Sequence, residues 1–215
     1  MKQLNEAKGY IFDMDGVLCD SEPYIAEAAI RMFKEHYGVV VTAEDFVPFV
    51  GTGEDRYLSG VAAKYDVAIT LPEDKHETYR LYFECIVGRM QALPGVLDFI
   101  SKAEAAGKVM AVATSADHKK FEENVRQIGL DPSCFNAVVT GEEIENKKPA
   151  PDIFLKAAER LGLNPVDCVV FEDAKNGVQA AKSAGAHCVG IASFFTENEL
   201  ITAGADAAVA SFTEL

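Results

Sequence analysis

Apolar positions along the chain follow two different rhythms. Five short, nearly continuous runs rich in β-branched residues stand out: Tyr10 to Met14, Val109 to Thr114, Phe135 to Thr140, Cys168 to Glu172, and Cys188 to Ala192. Runs of this kind, without polar alternation, suit parallel strands covered on both faces. Helix-like segments lie between the last four, over Asp117 to Ile128, Asp152 to Leu161 and Asn176 to Ala184. Another, Val96 to Ala106, precedes the second run. Gly107, Gly129, Gly162 and Gly185 follow these segments, where a left-handed residue commonly closes a helix. The alternation predicts an α/β fold built on a doubly wound parallel sheet.

The stretch from Pro23 to Met90 keeps a different period. Helical spacing runs through Ile25-Ala28-Ala29-Met32-Phe33, Tyr57-Leu58-Val61-Ala62 and Tyr79-Tyr82-Phe83-Ile86, with no comparable strand run between them. This reads as an α-helical cap domain, residues 21–91, inserted into a core of residues 1–20 and 92–215. Its joints, Asp20-Ser21-Glu22-Pro23 and Ala92-Leu93-Pro94-Gly95, place Pro beside turn residues. Two adjacent joints suit a hinge for a closing lid; a rigid helical subdomain is the alternative.

Composition narrows the class. A chain of 215 residues, 49% hydrophobic and 25% charged, can bury one sizeable core and a small accessory domain. It has no apolar run of membrane-spanning length, and Met1-Lys2-Gln3-Leu4-Asn5-Glu6 lacks the apolar core of a secretory signal. The five cysteines are scattered and never fall at metal-ligand spacing, which leads us to expect a reducing cytoplasm. A net charge of −14 argues against nucleic acid. It does not exclude a phosphate substrate, because a site can be locally cationic within an acidic protein.

The candidate chemistry begins at the first run, which continues as Phe12-Asp13-Met14-Asp15-Gly16-Val17. Two carboxylates at the end of a buried strand are costly unless something offsets their charge, and a hard cation bound through oxygen would do so. One carboxylate on the cation and a second beside it suit a nucleophile and a general acid. A plain strand-to-loop turn would explain the same string by backbone geometry alone. The other strand ends weigh against that: Thr114-Ser115 ends the second run, Glu172-Asp173 the fourth, and Lys148 follows the third. In an open α/β sheet these all fall on the carboxyl edge, where ligands bind. Singly, Ser115 or Asp117 would be read as a helix cap. Together the set suits phosphoryl transfer, which needs a cation across the phosphoryl oxygens, donors to those oxygens and an in-line nucleophile. Asp13, Glu172 and Asp173 offer oxygen ligands for Mg2+. The Thr114 hydroxyl and Ser115 N–H offer donors, and Lys148 offers a point charge that also orients Asp13. Pro149 biases Lys148 away from helix.

With these residues in place, the chain resembles the haloacid dehalogenase-like (HAD) phosphotransferase superfamily over essentially its whole length. It is most similar to the β-phosphoglucomutase-like branch, which has a helical cap after the first strand. The strings that carry the likeness are Phe12-Asp13-Met14-Asp15-Gly16-Val17-Leu18, Ala113-Thr114-Ser115-Ala116, Lys148-Pro149-Ala150-Pro151-Asp152-Ile153-Phe154, and Phe171-Glu172-Asp173-Ala174 with Gly177-Val178-Gln179-Ala180-Ala181. The resemblance implies a HAD-like Rossmannoid core and an aspartyl-phosphate formed on Asp13. Asp15 would serve as general acid and then base. Mg2+ would be held by the Asp13 carboxylate, the Asp15 backbone carbonyl and Asp173, with Glu172 nearby. Thr114 and Lys148 would bind the phosphoryl group.

The presence of Asp15 sets aside the dehalogenase and phosphonate-hydrolase patterns of the superfamily, which lack this second acid. Mutases of the branch carry Gly-Val-Ser-Arg in a cap loop, and the matching stretch here is Gly51-Thr52-Gly53-Glu54. A carboxylate at Glu54 would repel a second phosphate, so Gly51 and Glu54 become candidate cap contacts to a substrate's leaving group. The plainer alternative is that Glu54 starts a helix. Val47-Pro48-Phe49-Val50-Gly51-Thr52-Gly53-Glu54 is also similar to a hydrolase domain of some plant chloroplast proteins. The expected function is a magnesium-dependent phosphatase of a small phosphorylated metabolite. A sugar phosphomutase is the runner-up, and a catalytically silent sensing domain is a third reading. No nucleic-acid or membrane partner is expected, and the chain is expected to act as a monomer.

Overall fold

The computed structural model of the protein describes residues 2–215. The chain divides into two compact units, Met1–Asp20 with Gln91–Leu215, and Ser21–Met90. In chain order, α1 (Lys2–Glu6) and β1 (Gly9–Phe12) open the α/β unit, and α2 (Glu22–Tyr37), α3 (Glu54–Lys64) and α4 (Glu73–Ile86) belong to the helical unit. The α/β unit resumes with α5 (Val96–Ala105), β2 (Val109–Ala113), α6 (His118–Gln127), β3 (Ala137–Val139) and α7 (Asp152–Arg160). It closes with β4 (Cys168–Glu172), α8 (Lys175–Ser183), β5 (His187–Ile191), α9 (Glu197–Ala203) and β6 (Ala207–Val209).

The strands form one six-stranded sheet in the order β3-β2-β1-β4-β5-β6, and every pairing is parallel. β1 is therefore central, and the strand order switches direction beside it, between β1 and β4. Alternation along β1 gives the sheet two unlike faces. Ile11 joins Ala111, Val139 and Val170 in a cluster with Ile153, Phe154 and Ala157 of α7 and Val178 and Ala181 of α8. Tyr10 and Phe12 instead meet Phe171 of β4, Phe99 of α5 and, from Phe12, Phe212. Phe12 and Phe171 are register partners whose rings stack with centroids 5.0 Å apart.

The four glycines that follow α5, α6, α7 and α8 all have positive φ, so each helix closes as its sequence predicts. Pairing on β1, β2 and β3 stops earlier than the apolar runs do, at Phe12, Ala113 and Val139. The residues beyond have turned into the loops that carry the polar groups. β6 and α9 are among the elements the sequence pattern does not predict. β6 is an alanine-rich edge strand of three half-buried residues, too short and too mild to leave a pattern. α9 begins with a capping box in which Thr196 and Glu199 exchange hydrogen bonds.

In the helical unit α2 packs on α4, with ion pairs from Arg31 to Glu84 and from Arg89 to Glu27. The buried Asp45 carboxylate gathers the Lys64 ammonium, the Tyr65 hydroxyl at 2.6 Å and the Thr42 N–H at 2.8 Å. Among the described residues no helix is long and apolar enough to cross a membrane.

Candidate active site

The carboxyl end of β1 carries Asp13, whose N–H donates to the Phe171 carbonyl at 3.0 Å and so extends the ladder one step past the strand. The chain then turns tightly: Leu18 N donates to Met14 O and Gly16 N to Cys19 O, each at 2.8 Å. Gly16 has φ +77°, and a Cβ there would lie 2.0 Å from Asp173 Oδ2. Only glycine satisfies both demands. Ser193 joins the same corner, its hydroxyl donating to Gly16 O at 2.6 Å and lying 3.4 Å from Asp173 Oδ2.

Lys148, in the loop between β3 and α7, is buried where the ends of β1 and β4 meet. Its Nζ lies 2.5 Å from Asp13 Oδ1 and 2.7 Å from Glu172 Oε1. Glu172 is engaged at both oxygens, since Oε2 accepts from Ala174 N at 2.8 Å. The first turn of α8 backs directly onto it: a Cβ on Gly177 would fall 1.7 Å from Glu172 Oε1. Glu172 was expected to face a metal; the structure makes it the partner of Lys148 and of the backbone.

The loop after β2 supplies Thr114 and Ser115. Thr114 N donates to Val139 O at 3.0 Å, and its buried hydroxyl oxygen accepts from Ala116 N at 3.1 Å. Gly141 lies against the Ser115 carbonyl, with room for no Cβ. Asp117 occupies the N-cap position of α6, while the N–H of His118 goes to Glu142 at 3.0 Å.

Acid outweighs base in this corner. Burial pushes the Asp13 carboxyl up to about 7; Lys148 pulls it down, and Glu172 and Asp15 push it up. Burial, with Glu172 and Asp13 beside it, holds Asp173 well above the usual carboxylate range. Burial alone would lower Lys148, but Asp13 and Glu172 outweigh it and raise the ammonium above the ordinary lysine range. Among the described residues no three His, Cys, Asp or Glu side chains converge as an assembled metal site. The chemistry of the donors nonetheless fits a hard divalent cation: two buried carboxylates, both disfavoured as anions without further positive charge, and no nitrogen or sulfur among them.

Asp15 reveals two residues that sequence reasoning missed. Lys120 Nζ lies 3.0 Å from its Oδ2, and Asn124 Nδ2 lies 3.4 Å from its Oδ1. A signal was present, because Lys120 and Asn124 adjoin Phe121 and Val125 on the buried side of α6. Gly51 and Glu54 lie in the helical unit. Gly51 and Gly53 have positive φ, Gly53 is the N-cap of α3, and Glu54 is its buried first residue. That is the plainer helix-starting role foreseen for Glu54.

The model of the haloacid dehalogenase-like hydrolase family matches residues 10–191. Protein SUPPRESSOR OF QUENCHING 1, chloroplastic, of Arabidopsis thaliana is 42% identical over 197 residues, 90% of this chain and 19% of that protein. The chain thus spans about a fifth of that relative's length. A phosphorylated carbohydrates phosphatase of Thermotoga maritima is 34% identical over 175 residues, covering 81% of this chain and 80% of the relative. Among solved structures, CbbY from Rhodobacter sphaeroides in complex with xylulose-(1,5)bisphosphate superposes with a TM-score of 0.86 at 27% identity, over 97% of this chain and 96% of that one. The match of family model, sequence and sheet leaves one assignment: the chain belongs to the haloacid dehalogenase-like hydrolases.

Proposed function

We propose that the protein is a magnesium-dependent phosphatase of a small phosphorylated metabolite, acting through a phosphoryl group carried on Asp13. One observation carries this reading. Asp13 stands at the end of the central strand, beside the switch in strand order, with the buried Lys148 ammonium 2.5 Å from its Oδ1. Lys148 thereby fixes the carboxylate for in-line attack and adds positive charge where a phosphoryl group would arrive.

In the first step an Asp13 oxygen bonds to phosphorus and the bond from phosphorus to the ester oxygen breaks. The departing oxygen takes its proton from Asp15. In the second step water attacks the phosphorus and passes a proton to Asp15 while the bond from phosphorus to Asp13 breaks. Inorganic phosphate leaves and both carboxyl groups are restored. Thr114, Ser115 and Lys148 bind the phosphoryl oxygens. The Asp13 carboxylate, the Asp15 carbonyl and the Asp173 carboxylate would hold magnesium, and Glu172 keeps Lys148 in place. When bound, the cation neutralises charge across the phosphoryl oxygens. The Thermotoga relative's name and the sugar bisphosphate in the CbbY structure support a phosphorylated sugar as the substrate class.

The test is acid-quenched mass spectrometry during turnover of sugar phosphates with magnesium. The expected result is one added phosphoryl group on the peptide that contains Asp13, together with phosphate release that chelator stops. Asp13→Asn should lose both and keep its fold; release at the normal rate by this variant would overturn the reading.

A further inference from the structure

Lys120 is a buried cation that the steps above leave unused. It lies in the first turn of α6 with its side chain 3% exposed, and its Nζ is 3.0 Å from Asp15 Oδ2. Lysine on a helix ordinarily reaches water, and burying its ammonium is costly unless a carboxylate meets it. Asn124, one turn later and fully buried, places Nδ2 3.4 Å from Asp15 Oδ1. The spacing of four residues brings the two side chains to one side of the helix, so each carboxylate oxygen has its own donor. Asn124 is itself lodged in the turn that follows the nucleophile, with Nδ2 3.6 Å from Met14 Sδ and 3.7 Å from Cys19 Sγ. The backbone on either side of Asp15 is held independently by the hydrogen bonds of the Met14 to Cys19 turn. What α6 adds is control of the side chain alone.

We propose that Lys120 and Asn124 are positioning residues for Asp15, a two-point grip from α6 that sets the plane and reach of the carboxyl group serving the leaving oxygen. This rests on the reading of Asp15 as proton carrier. α6 follows directly from the loop of Thr114 and Ser115, so one rigid element ties the proposed phosphoryl-binding loop to the group that must meet the adjacent ester oxygen. A misplacement of about 1 Å in such a group can cost on the order of 10²-fold in rate.

The test uses the full chain with magnesium and two aryl esters of similar shape. Phenyl phosphate has a poor leaving group that needs its proton, and p-nitrophenyl phosphate has one that departs readily without it. Lys120→Met is expected to lower kcat/KM for phenyl phosphate about 10–100-fold, less than the full ~10²–10⁴-fold that a positioned acid–base group supplies, because Asp15 itself remains. The loss on p-nitrophenyl phosphate should be several-fold smaller. In an Asp15→Asn background the same substitution should cost nothing further. Asn124→Ala should show the same leaving-group pattern in milder form, and it serves if Lys120→Met does not fold.

Equal losses on both esters that persist in the Asp15→Asn background would overturn the inference. So would unchanged kcat/KM in both variants, or failure of both to fold, which would make the pair a structural brace. Asp15→Asn with normal kcat/KM on phenyl phosphate would instead overturn the role given to Asp15 under the proposed function.

Discussion

Lys148 and Asp13 meet at 2.5 Å although 135 positions separate them in the chain. The contact exists because β1 and β4 are neighbours, which brings Glu172 close enough to take the other side of the same ammonium at 2.7 Å. A lysine buried between two carboxylates is held from both sides. Removing either acid would leave it underpaired.

That arrangement separates the two acids at the end of β4. Glu172→Gln should lower kcat while changing magnesium affinity less than tenfold, because it acts through Lys148. Asp173→Asn should weaken magnesium binding more than tenfold, since it removes a proposed ligand. Calorimetric titration of magnesium into each variant, beside steady-state rates, checks the order; a larger affinity loss in Glu172→Gln would reverse the two assignments.

Gly16 is the tightest backbone position in the site. Gly16→Ala introduces a Cβ where Asp173 Oδ2 stands 2.0 Å away, at a φ of +77° that side chains disfavour. Strain of this kind costs about 1–3 kcal/mol, a fall in Tm of ~2–12 °C for a chain of this size. Displacement of Asp173 should lower activity as well. Thermal denaturation with phosphate-release assays measures both, and an unchanged Tm would show that the turn relaxes around the methyl group.

The helical unit carries its own pH dependence at Asp45. The Lys64 ammonium, then the Tyr65 hydroxyl and the Thr42 N–H, hold its carboxyl well below the usual carboxylate range. A depressed value means that charged Asp45 stabilises the fold above the unfolded carboxyl value of about 3.9. That contribution is lost as the pH falls through this value toward the lower folded one. Asp45→Asn should therefore lower Tm at pH 7, and the gap from the unaltered protein should narrow below pH 4. A gap that stays constant from pH 7 to pH 3 would show that the carboxylate charge is not its source.

The central strands and the helices between them were legible because each is a long apolar or amphipathic run closed by a glycine, as with α5 before Gly107 and α7 before Gly162. Asp13, Thr114, Lys148 and Asp173 were legible because strand ends in this topology share one edge. Less was readable where meaning depends on a neighbour distant in sequence. The sequence marks Glu172 as one more acid, and only the fold shows that both its oxygens are engaged. Lys120 reads as an ordinary helix lysine until Asp15 is found beside it. α9 was within reach, because Thr196 and Glu199 have capping-box spacing.

The central position of β1 also bears on the order in which the molecule can assemble. Its partners lie far along the chain: Gly9 pairs with Val109 on one side and Cys168 on the other. The contacts of α2 with α4 span a far shorter loop, and short loops close at lower entropic cost. The helical unit can therefore acquire native contacts while the strand that carries Asp13 still waits for the second half of the chain. A partly synthesised chain that ends before β4 contains both Asp13 and Lys148, but it lacks the strand that brings them together and Glu172 to hold the lysine. Assembly of the Asp13–Lys148–Glu172 contact is thus tied to the arrival of β4.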